Sequence, residues 1–446
     1  KYIRIIEKVL MIINLYWGYV FMETKYGTLF TDKTLNQLRS QFKYVDVDCN
    51  KQRRLFFDNA GGSLRLIRAE DVFYQIDAMP DASEHANVLA KKLLEMEDKG
   101  RSDLRVIFNA KKGAIATGYT ASQLMMDAVR ILSEHAKGTN VVTSVLEHPS
   151  SFDSLSMYAA KYNRDLRVVP ANKETGAIDT DDVLKYVDAD TAILSIMTAS
   201  NISGHIQDIE TIAKRAREIN PDIFIISDAV QHAPHGALHP EEWGVDVMNF
   251  APYKFFGIRG FSAMYLSDRV KNFEHHKLAG KPLDDWEIGS PATAQFVAIS
   301  AIVDYVCSIG KDVLPDELDR QTLYEAGMNR IAAHEQALLS ILLDGTEDMK
   351  GLRQMKGVTV KMDDPDLTKR DLITGIEFDN MSADKAREEM EKRGVVAFER
   401  LASSIYSGRM LKQFDSLGVL RISPLHVNSA DDIVTFLKVA EEVAAL

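Results

Sequence analysis

The chain has 446 residues, more than one hydrophobic core usually organises, so two domains are expected. It is 46% hydrophobic and 26% charged, an ordinary globular composition, and its formal charge of −12 leaves no basic excess to neutralise nucleic-acid phosphates. The two cysteines, Cys49 and Cys307, cannot build a disulfide framework or a metal cluster, which fits a reducing, cytoplasmic setting.

Residues 9–22 (VLMIINLYWGYVFM) are almost wholly apolar and follow Lys1, Arg4 and Lys8. The run is short for a bilayer crossing, and Glu23-Thr24-Lys25-Tyr26 stand where a secretory signal would have small residues for cleavage. An upstream extension before a start near Met22 is expected, with secretion as the alternative and no membrane partner.

A charged, helix-like segment at 31–44 leads to a short strand at 55–57 and then to Asp58-Asn59-Ala60-Gly61-Gly62-Ser63. Two adjacent glycines after a strand permit close backbone approach to a ligand; a plain turn uses them equally well. Residues 106–108 read as a strand and 109–119 as a loop ending at Thr120-Ala121-Ser122. A helix should follow, because Ala121, Leu124, Met125, Ala128, Val129 and Leu132 recur at helical spacing before Gly138. Its N-terminus, preceded by Gly118, offers free N–H groups and the positive dipole end to a phosphate, while Thr120 can cap it.

Strands are expected at 140–143, 166–169 and 192–197, with a helix at 179–187. The first leads to Glu147-His148-Pro149-Ser150 and the third to Ser200-Asn201-Ile202. Strands alternating with helices up to Asp268 imply a mostly parallel sheet wrapped on both faces. Neither G-x-G-x-x-G nor G-x-x-x-x-G-K-[ST] occurs, so dinucleotide and P-loop readings lack their glycines.

The apolar run 223–226 reads as a buried strand that delivers Asp228 to its C-terminal edge, and a second run at 245–250 precedes Lys254 in a loop with Pro252, Tyr253 and Gly257. In open α/β sheets ligands bind outside the carboxyl ends of the strands, so this acid and this amine can face one cofactor. A lysine can form a Schiff base with an aldehyde, and a carboxylate can keep a pyridine nitrogen protonated so that the ring accepts electrons from the substrate's Cα. Pyridoxal 5′-phosphate is the cofactor that uses such a pair. Singly, Asp228 also reads as a turn or cap residue and Lys254 as a solvated lysine; spacing and strand context lift the pair. His232, His235 and His239 invite a zinc reading, but Pro234, Gly236 and Pro240 break any common helix face and no thiolate stands nearby, so no metal is expected.

Helices at 293–309 and 317–343 lead into a smaller domain with a strand at 373–378, a helix at 382–393, strands at 395–398 and 419–422 and a helix at 429–445. The expected division is an N-terminal extension and helix (1–50), a large cofactor-binding domain (51–310) and a small C-terminal domain (311–446).

Asp228-Ala229-Val230-Gln231, Gly244-Val245-Asp246 and Ala251-Pro252-Tyr253-Lys254 with Gly257 resemble the cofactor-lysine region of class V aminotransferases, and within them the cysteine desulfurase-like branch. The resemblance runs from about Phe57 to the C-terminus. It implies a pyridoxal-phosphate enzyme of fold type I, α/β with a mostly parallel sheet flanked by helices and a smaller α+β C-terminal domain, forming a homodimer with shared sites. It further implies that Lys254 holds the cofactor and moves the proton at Cα, that His148 stacks on the ring, that Asp228 faces the ring nitrogen, and that Asn201 and Gln231 reach the phenolic oxygen. Tyr119, Thr120 and Tyr253 would hold phosphate, with Ser290 reaching the neighbouring subunit's phosphate. Arg421, in Leu420-Arg421-Ile422-Ser423-Pro424, would bind the carboxylate of an amino-acid substrate, with Asn59 bordering that pocket; a strand arginine in a surface pair is the other reading of Arg421.

Two departures qualify the activity. Residues 399–410 (ERLASSIYSGRM), where cysteine desulfurases carry a nucleophilic cysteine, contain none, and Ala251 stands where the family often has a phosphate-binding serine. The expected function is therefore a C–S lyase resembling cysteine desulfurases and selenocysteine lyases but without that thiol. A class V aminotransferase, an amino-acid epimerase and a non-catalytic ligand-binding module on the same fold are the alternatives.

Overall fold

The computed structural model describes residues 23, 24, 26–290 and 292–446, so the apolar stretch 9–22 lies outside the described residues. A two-residue hairpin, β1 (Glu23–Thr24) with β2 (Gly27–Thr28), precedes helix α1 (Asp32–Arg39), strand β3 (Leu55–Phe56) and helices α2 (Ile67–Asp77) and α3 (Val88–Ile107). Strands and helices then alternate: β4 (Ala114–Gly118), α4 (Ala121–His135), β5 (Asn140–Ser144), α5 (Pro149–Lys161), β6 (Asp165–Val169), α6 (Thr180–Leu184), β7 (Thr191–Ser195), α7 (Ile209–Ile219), β8 (Phe224–Asp228), β9 (Val247–Phe250) and β10 (Ser262–Leu266).

Among the described residues these strands form one seven-stranded sheet in the order β4-β10-β9-β8-β7-β5-β6. Strands β5 to β9 pair in parallel, and β10 runs against both β9 and β4. The sequence reason is burial on both faces. Strands β5 (NVVTS), β7 (TAILS) and β9 (VMNF) are buried at every position, so they show continuous runs rather than apolar–polar alternation. Because β5, β7, β8 and β9 are parallel, their carboxyl ends share one edge of the sheet.

The expected strand at 106–108 is not one. Val106 and Ile107 close the twenty-residue helix α3, and Phe108 is its C-cap. Leu93, Glu97, Gly100, Leu104 and Ile107 are buried at steps of three and four, a helical stripe that outweighs three adjacent apolar residues. The strand of this region is β4, inside the segment 109–119 that reads as a loop.

Helices α8 (Thr293–Val313) and α9 (Arg320–Asp344) lead to the second body: β11 (Val358–Lys361), β12 (Thr374–Phe378), α10 (Ala383–Lys392), β13 (Val395–Val396), β14 (Phe398–Leu401), α11 (Gly408–Gln413), β15 (Gly418–Ile422) and α12 (Ala430–Ala444). Its sheet is antiparallel, ordered β11-β12-β15-β14, and the expected strand 395–398 divides into β13 and β14. Strand β13 pairs in parallel with β3, so Leu55 and Phe56 hydrogen-bond with the C-terminal body although the sequence places them in the large domain. Helix α8 is long and apolar enough to cross a membrane, but 78% of its apolar window is buried against the rest of the fold.

Glycines set how closely α8 can be approached. A Cβ on Gly310 would lie 1.9 Å from the carbonyl oxygen of Leu323 on α9, and one on Gly327 2.1 Å from that of Val306 on α8. Backbone cannot yield as a flexible side chain can, so Gly327→Ala should lower unfolding stability by about 1–3 kcal/mol, read as a fall in the denaturant midpoint.

Candidate active site

The carboxyl ends of four parallel strands bring four of the expected residues together. His148 follows β5, Asn201 follows β7, Asp228 ends β8, and Lys254 sits on the 3-10 turn Pro252–Lys254 after β9. All four line one cleft, with Gln231 and Tyr253. Hydrogen bonds from both the amide and the hydroxyl of Ser63 fix the lysine turn against the Gly61-Gly62-Ser63 segment. The Phe256 N–H donates to Ser63 Oγ at 2.9 Å, and the Ser63 N–H donates to the Tyr253 carbonyl at 3.1 Å.

The Lys254 Nζ donates to Gln231 Oε1 at 3.2 Å. Burial and then the charge of Arg421 push the amine down to about 7, against the opposing pull of Asp228. A lysine near neutrality is nucleophilic without a separate base to deprotonate it. Asp228 is buried and accepts the Val230 N–H at 3.0 Å; burial raises its pKa, while that hydrogen bond and Lys254 lower it.

His148 is the N-cap of α5. Its Nδ1 accepts the Ser150 N–H at 3.2 Å and lies 2.8 Å from Ser150 Oγ. Burial, followed by the charges of Lys254, Arg400 and Arg409, pushes the imidazole down to about 4, so it is neutral at physiological pH. Such a ring can lie on an aromatic cofactor without adding a charge. Tyr406 approaches it nearly parallel, with ring centroids 6.0 Å apart.

Two polar atoms in this cleft lack a protein partner. Asn201 Oδ1 and Gln231 Nε2 are both buried and unbonded, an acceptor and a donor of the kind that a polar ring substituent would satisfy. With the amine of Lys254, the carboxylate of Asp228 and the neutral ring of His148, the set fits pyridoxal phosphate.

The phosphate end differs from expectation. Ala121 and Ser122, at the N-terminus of α4, line the cleft, and Asn249 on β9 donates to the Ala121 carbonyl at 3.3 Å, fixing that turn above the strand ends. Thr120 is the N-cap, its hydroxyl accepting the Gln123 N–H at 3.1 Å. Tyr119 is 76% exposed and lies with Ser290 in a neighbouring groove rather than in this cleft. Ser122 is the residue that sequence reasoning missed, although a hydroxyl in the first turn of a predicted phosphate-facing helix was a usable signal.

Arg421 is buried on β15. Its Nη2 pairs with Asp58 Oδ1 at 2.7 Å, and its Nη1 donates to the Asn201 carbonyl at 3.2 Å. A Cβ on Gly61 would come within 2.8 Å of Asp58 Oδ2, so the first glycine of the pair makes room for this carboxylate. Asn59 is not brought into the cleft. Its amide nitrogen donates to the carbonyls of Phe56 and Ser423 at 3.2 and 3.1 Å, and its oxygen accepts the Leu64 N–H at 3.0 Å, which braces the turn to the end of β15.

Arg400 and Glu147 were also missed. Arg400, on β14, is buried and exerts its charge on Lys254 and His148. Glu147 Oε1 accepts Ser144 Oγ–H and the Met197 N–H, both at 2.8 Å, and burial raises the acid to about 8. The three histidines of the considered zinc set face different partners: His232 Nδ1 lies 3.1 Å from both oxygens of Asp371, His235 Nδ1 is 2.6 Å from Glu335 Oε2, and His239 Nδ1 is 2.7 Å from Asn109 Nδ2. Among the described residues no group of three His, Cys, Asp or Glu could hold a metal ion. Burial raises the Cys307 thiol to about 11, far from a reactive thiolate at neutral pH.

Residues 55–436 match the Aminotransferase class-V family model. The chain belongs to the class V aminotransferases. Cysteine desulfurase IscS of Dictyoglomus turgidum is 30% identical over 176 residues, 39% of this chain and 44% of that protein. A probable cysteine desulfurase of Mycoplasma genitalium is 26% identical over 258 residues, 56% of this chain and 62% of that protein. The matched stretches thus span less than two thirds of either relative. Among solved structures, the apo cysteine desulfurase of Thermococcus onnurineus shares the fold with a TM-score of 0.78 at 18% identity, over 92% of this chain and 98% of that one. This class V aminotransferase therefore has fold type I, a mostly parallel sheet flanked by helices with a smaller antiparallel body.

The buried Glu147 gives a pH signature. Its folded pKa, about 8, lies above the ordinary 4.5, so between those values the unfolded chain has lost a proton that the folded chain keeps, and stability falls as pH rises. Glu147→Gln should gain stability relative to the unaltered protein across that window, seen as a denaturant-midpoint difference that grows with pH.

Proposed function

We propose that this protein is a pyridoxal-phosphate enzyme acting on an amino acid. The observation that carries the reading is one cleft lined by the Lys254 amine, the Asp228 carboxylate, the His148 ring and two unsatisfied buried amide atoms of Asn201 and Gln231. Bound pyridoxal phosphate supplies an electron sink for charge developing at the substrate Cα. The chain's own groups do the rest. Lys254 would hold the aldehyde carbon of the cofactor and would move the proton at the substrate Cα. Asp228 would hold the ring nitrogen, and Asn201 with Gln231 the phenolic oxygen. The first turn of α4, through the amides of Ala121 and Ser122 with Thr120 and Tyr253, would hold the phosphate, and Arg421 the substrate carboxylate.

The reaction we favour is C–S or C–Se cleavage that releases the heteroatom without a protein thiol, since residues 399–410 contain no cysteine and the buried Cys307 is protonated. The same absence supports transamination as the second reading. A homodimer belongs to the proposal. Ser290 is exposed, does not line its own Lys254 cleft, and borders an open groove between α3 and residues 278–290, a place where a second copy could seat it. A reducing, cytoplasmic location is in keeping with both cysteines being free.

The purified protein with pyridoxal phosphate should show a visible absorption band that Lys254→Ala abolishes; a colourless protein would support a non-catalytic binding module instead. Offered cysteine together with a small-molecule thiol, it should yield alanine, with the sulfane sulfur carried off as the persulfide of that added thiol. Pyruvate with ammonia would mean elimination, and a requirement for an added keto acid would mean transamination. Arg421→Gln should weaken amino-acid binding by about 10- to 150-fold while leaving the visible band in place, as expected for the loss of a charge-assisted hydrogen bond.

A further inference from the structure

Guanidinium groups near the cleft outnumber the carboxylates that pair with them. Phe398 on β14 stands opposite Arg421 on β15, and Arg400 lies two residues further along β14, so both arginines project from the same face of the small sheet. Their guanidinium carbons flank one ring, 5.9 and 5.6 Å from the Phe398 centroid. Arg421 has the carboxylate of Asp58. Arg400 forms no ion pair with any acid among the described residues; its Nη2 donates to the Tyr406 carbonyl at 2.9 Å. The Nε atoms of both arginines are buried and without a partner. Arg400 is only 9% exposed, and in a chain of charge −12 a nearly buried guanidinium with no counter-ion costs free energy unless something anionic meets it.

The charge of Arg400 acts on both Lys254 and His148, and Arg421, on the same face of the small sheet, donates to the carbonyl of Asn201, a residue that lines the cleft. A third guanidinium, Arg259, is exposed and lies 4.5 Å over the ring of Tyr253, also with no ion pair among the described residues. A substrate with a single carboxylate would satisfy one unpartnered Nε and leave the other buried and empty. Resting on the reading of the site as one for pyridoxal phosphate and an amino acid, and favouring its transamination branch over cleavage of cysteine, whose side chain is no second acid, we propose that the substrate is an amino acid with a second acidic group on its side chain: Arg421 takes the α-carboxylate and Arg400 the side-chain acid.

The test compares isosteres that differ only in that second charge. The holoenzyme is titrated with L-aspartate against L-asparagine, and L-glutamate against L-glutamine, following the change in the cofactor's visible absorption. At least one acid should bind about 10- to 150-fold more tightly than its amide. Arg400→Gln should collapse that ratio towards one, whereas Arg400→Lys, which keeps the charge and guards against a folding defect, should retain part of it. Equal binding of acid and amide by the unaltered protein overturns the proposal. So does an Arg400→Gln variant that weakens acid and amide equally, since Arg400 would then serve the α-carboxylate or the fold. A protein that stays colourless with pyridoxal phosphate fails the reading of the site itself. In that case calorimetric titration of the same protein with aspartate and asparagine still decides whether Arg400 selects a second acid.

Discussion

Everything at this site follows from holding one amine where water is scarce and an acid is close. Lys254 could not sit near neutrality on an exposed loop; burial lowers it, and burial is available because it follows a strand covered on both faces. The same parallel arrangement puts Asp228, Asn201 and His148 at neighbouring strand ends, so sheet topology, more than any local motif, decides which side chains meet. The reversed strand β10 carries none of these residues and joins β9 to the outer strand β4.

The second requirement is that two bodies stay in register. Lys254, Asp228, Asn201 and His148 come from the seven-stranded sheet, while Arg421 and Arg400 come from the small antiparallel one. Several buried bonds join them. The Ser423 N–H donates to the Phe57 carbonyl at 2.8 Å, which sets Asp58 beside Arg421, and Arg421 in turn holds the Asn201 carbonyl. His205 with Asp364, His232 with Asp371 and His235 with Glu335 fasten the loops that carry Asn201 and Gln231 to α9 and to the segment before β12. The histidines that suggested zinc in the sequence are thus partly explained as cross-links whose buried carboxylates need a hydrogen-bonding partner.

What was legible in the sequence was mainly what obeys a period or a strand end. The runs at 223–226 and 245–250 gave β8 and β9, and with them Asp228 and Lys254; the stripe from Ala121 to Leu132 gave α4. Residues 106–108 misled because three apolar residues fit a strand and a helix end alike, and the deciding positions, Leu93 to Leu104, lay outside that window. Arg400 was illegible for another reason. Its place beside Arg421 depends on the register of β14 against β15, which side-chain spacing within either strand does not reveal. The family resemblance puts Asn59 beside the substrate pocket, while its three side-chain hydrogen bonds all go to backbone groups, a bracing that no spacing along the sequence reveals.

The central claim is that Lys254 is the amine that captures the aldehyde of pyridoxal phosphate. Reduction of the pyridoxal phosphate-treated protein with borohydride, followed by peptide mapping, tests it most directly. One pyridoxyl group per chain on the peptide containing Lys254, formed readily near pH 7 as an amine of that acidity requires, is the predicted result. Label spread over surface lysines and rising only toward about pH 10, the ordinary range of a solvated lysine, would contradict it.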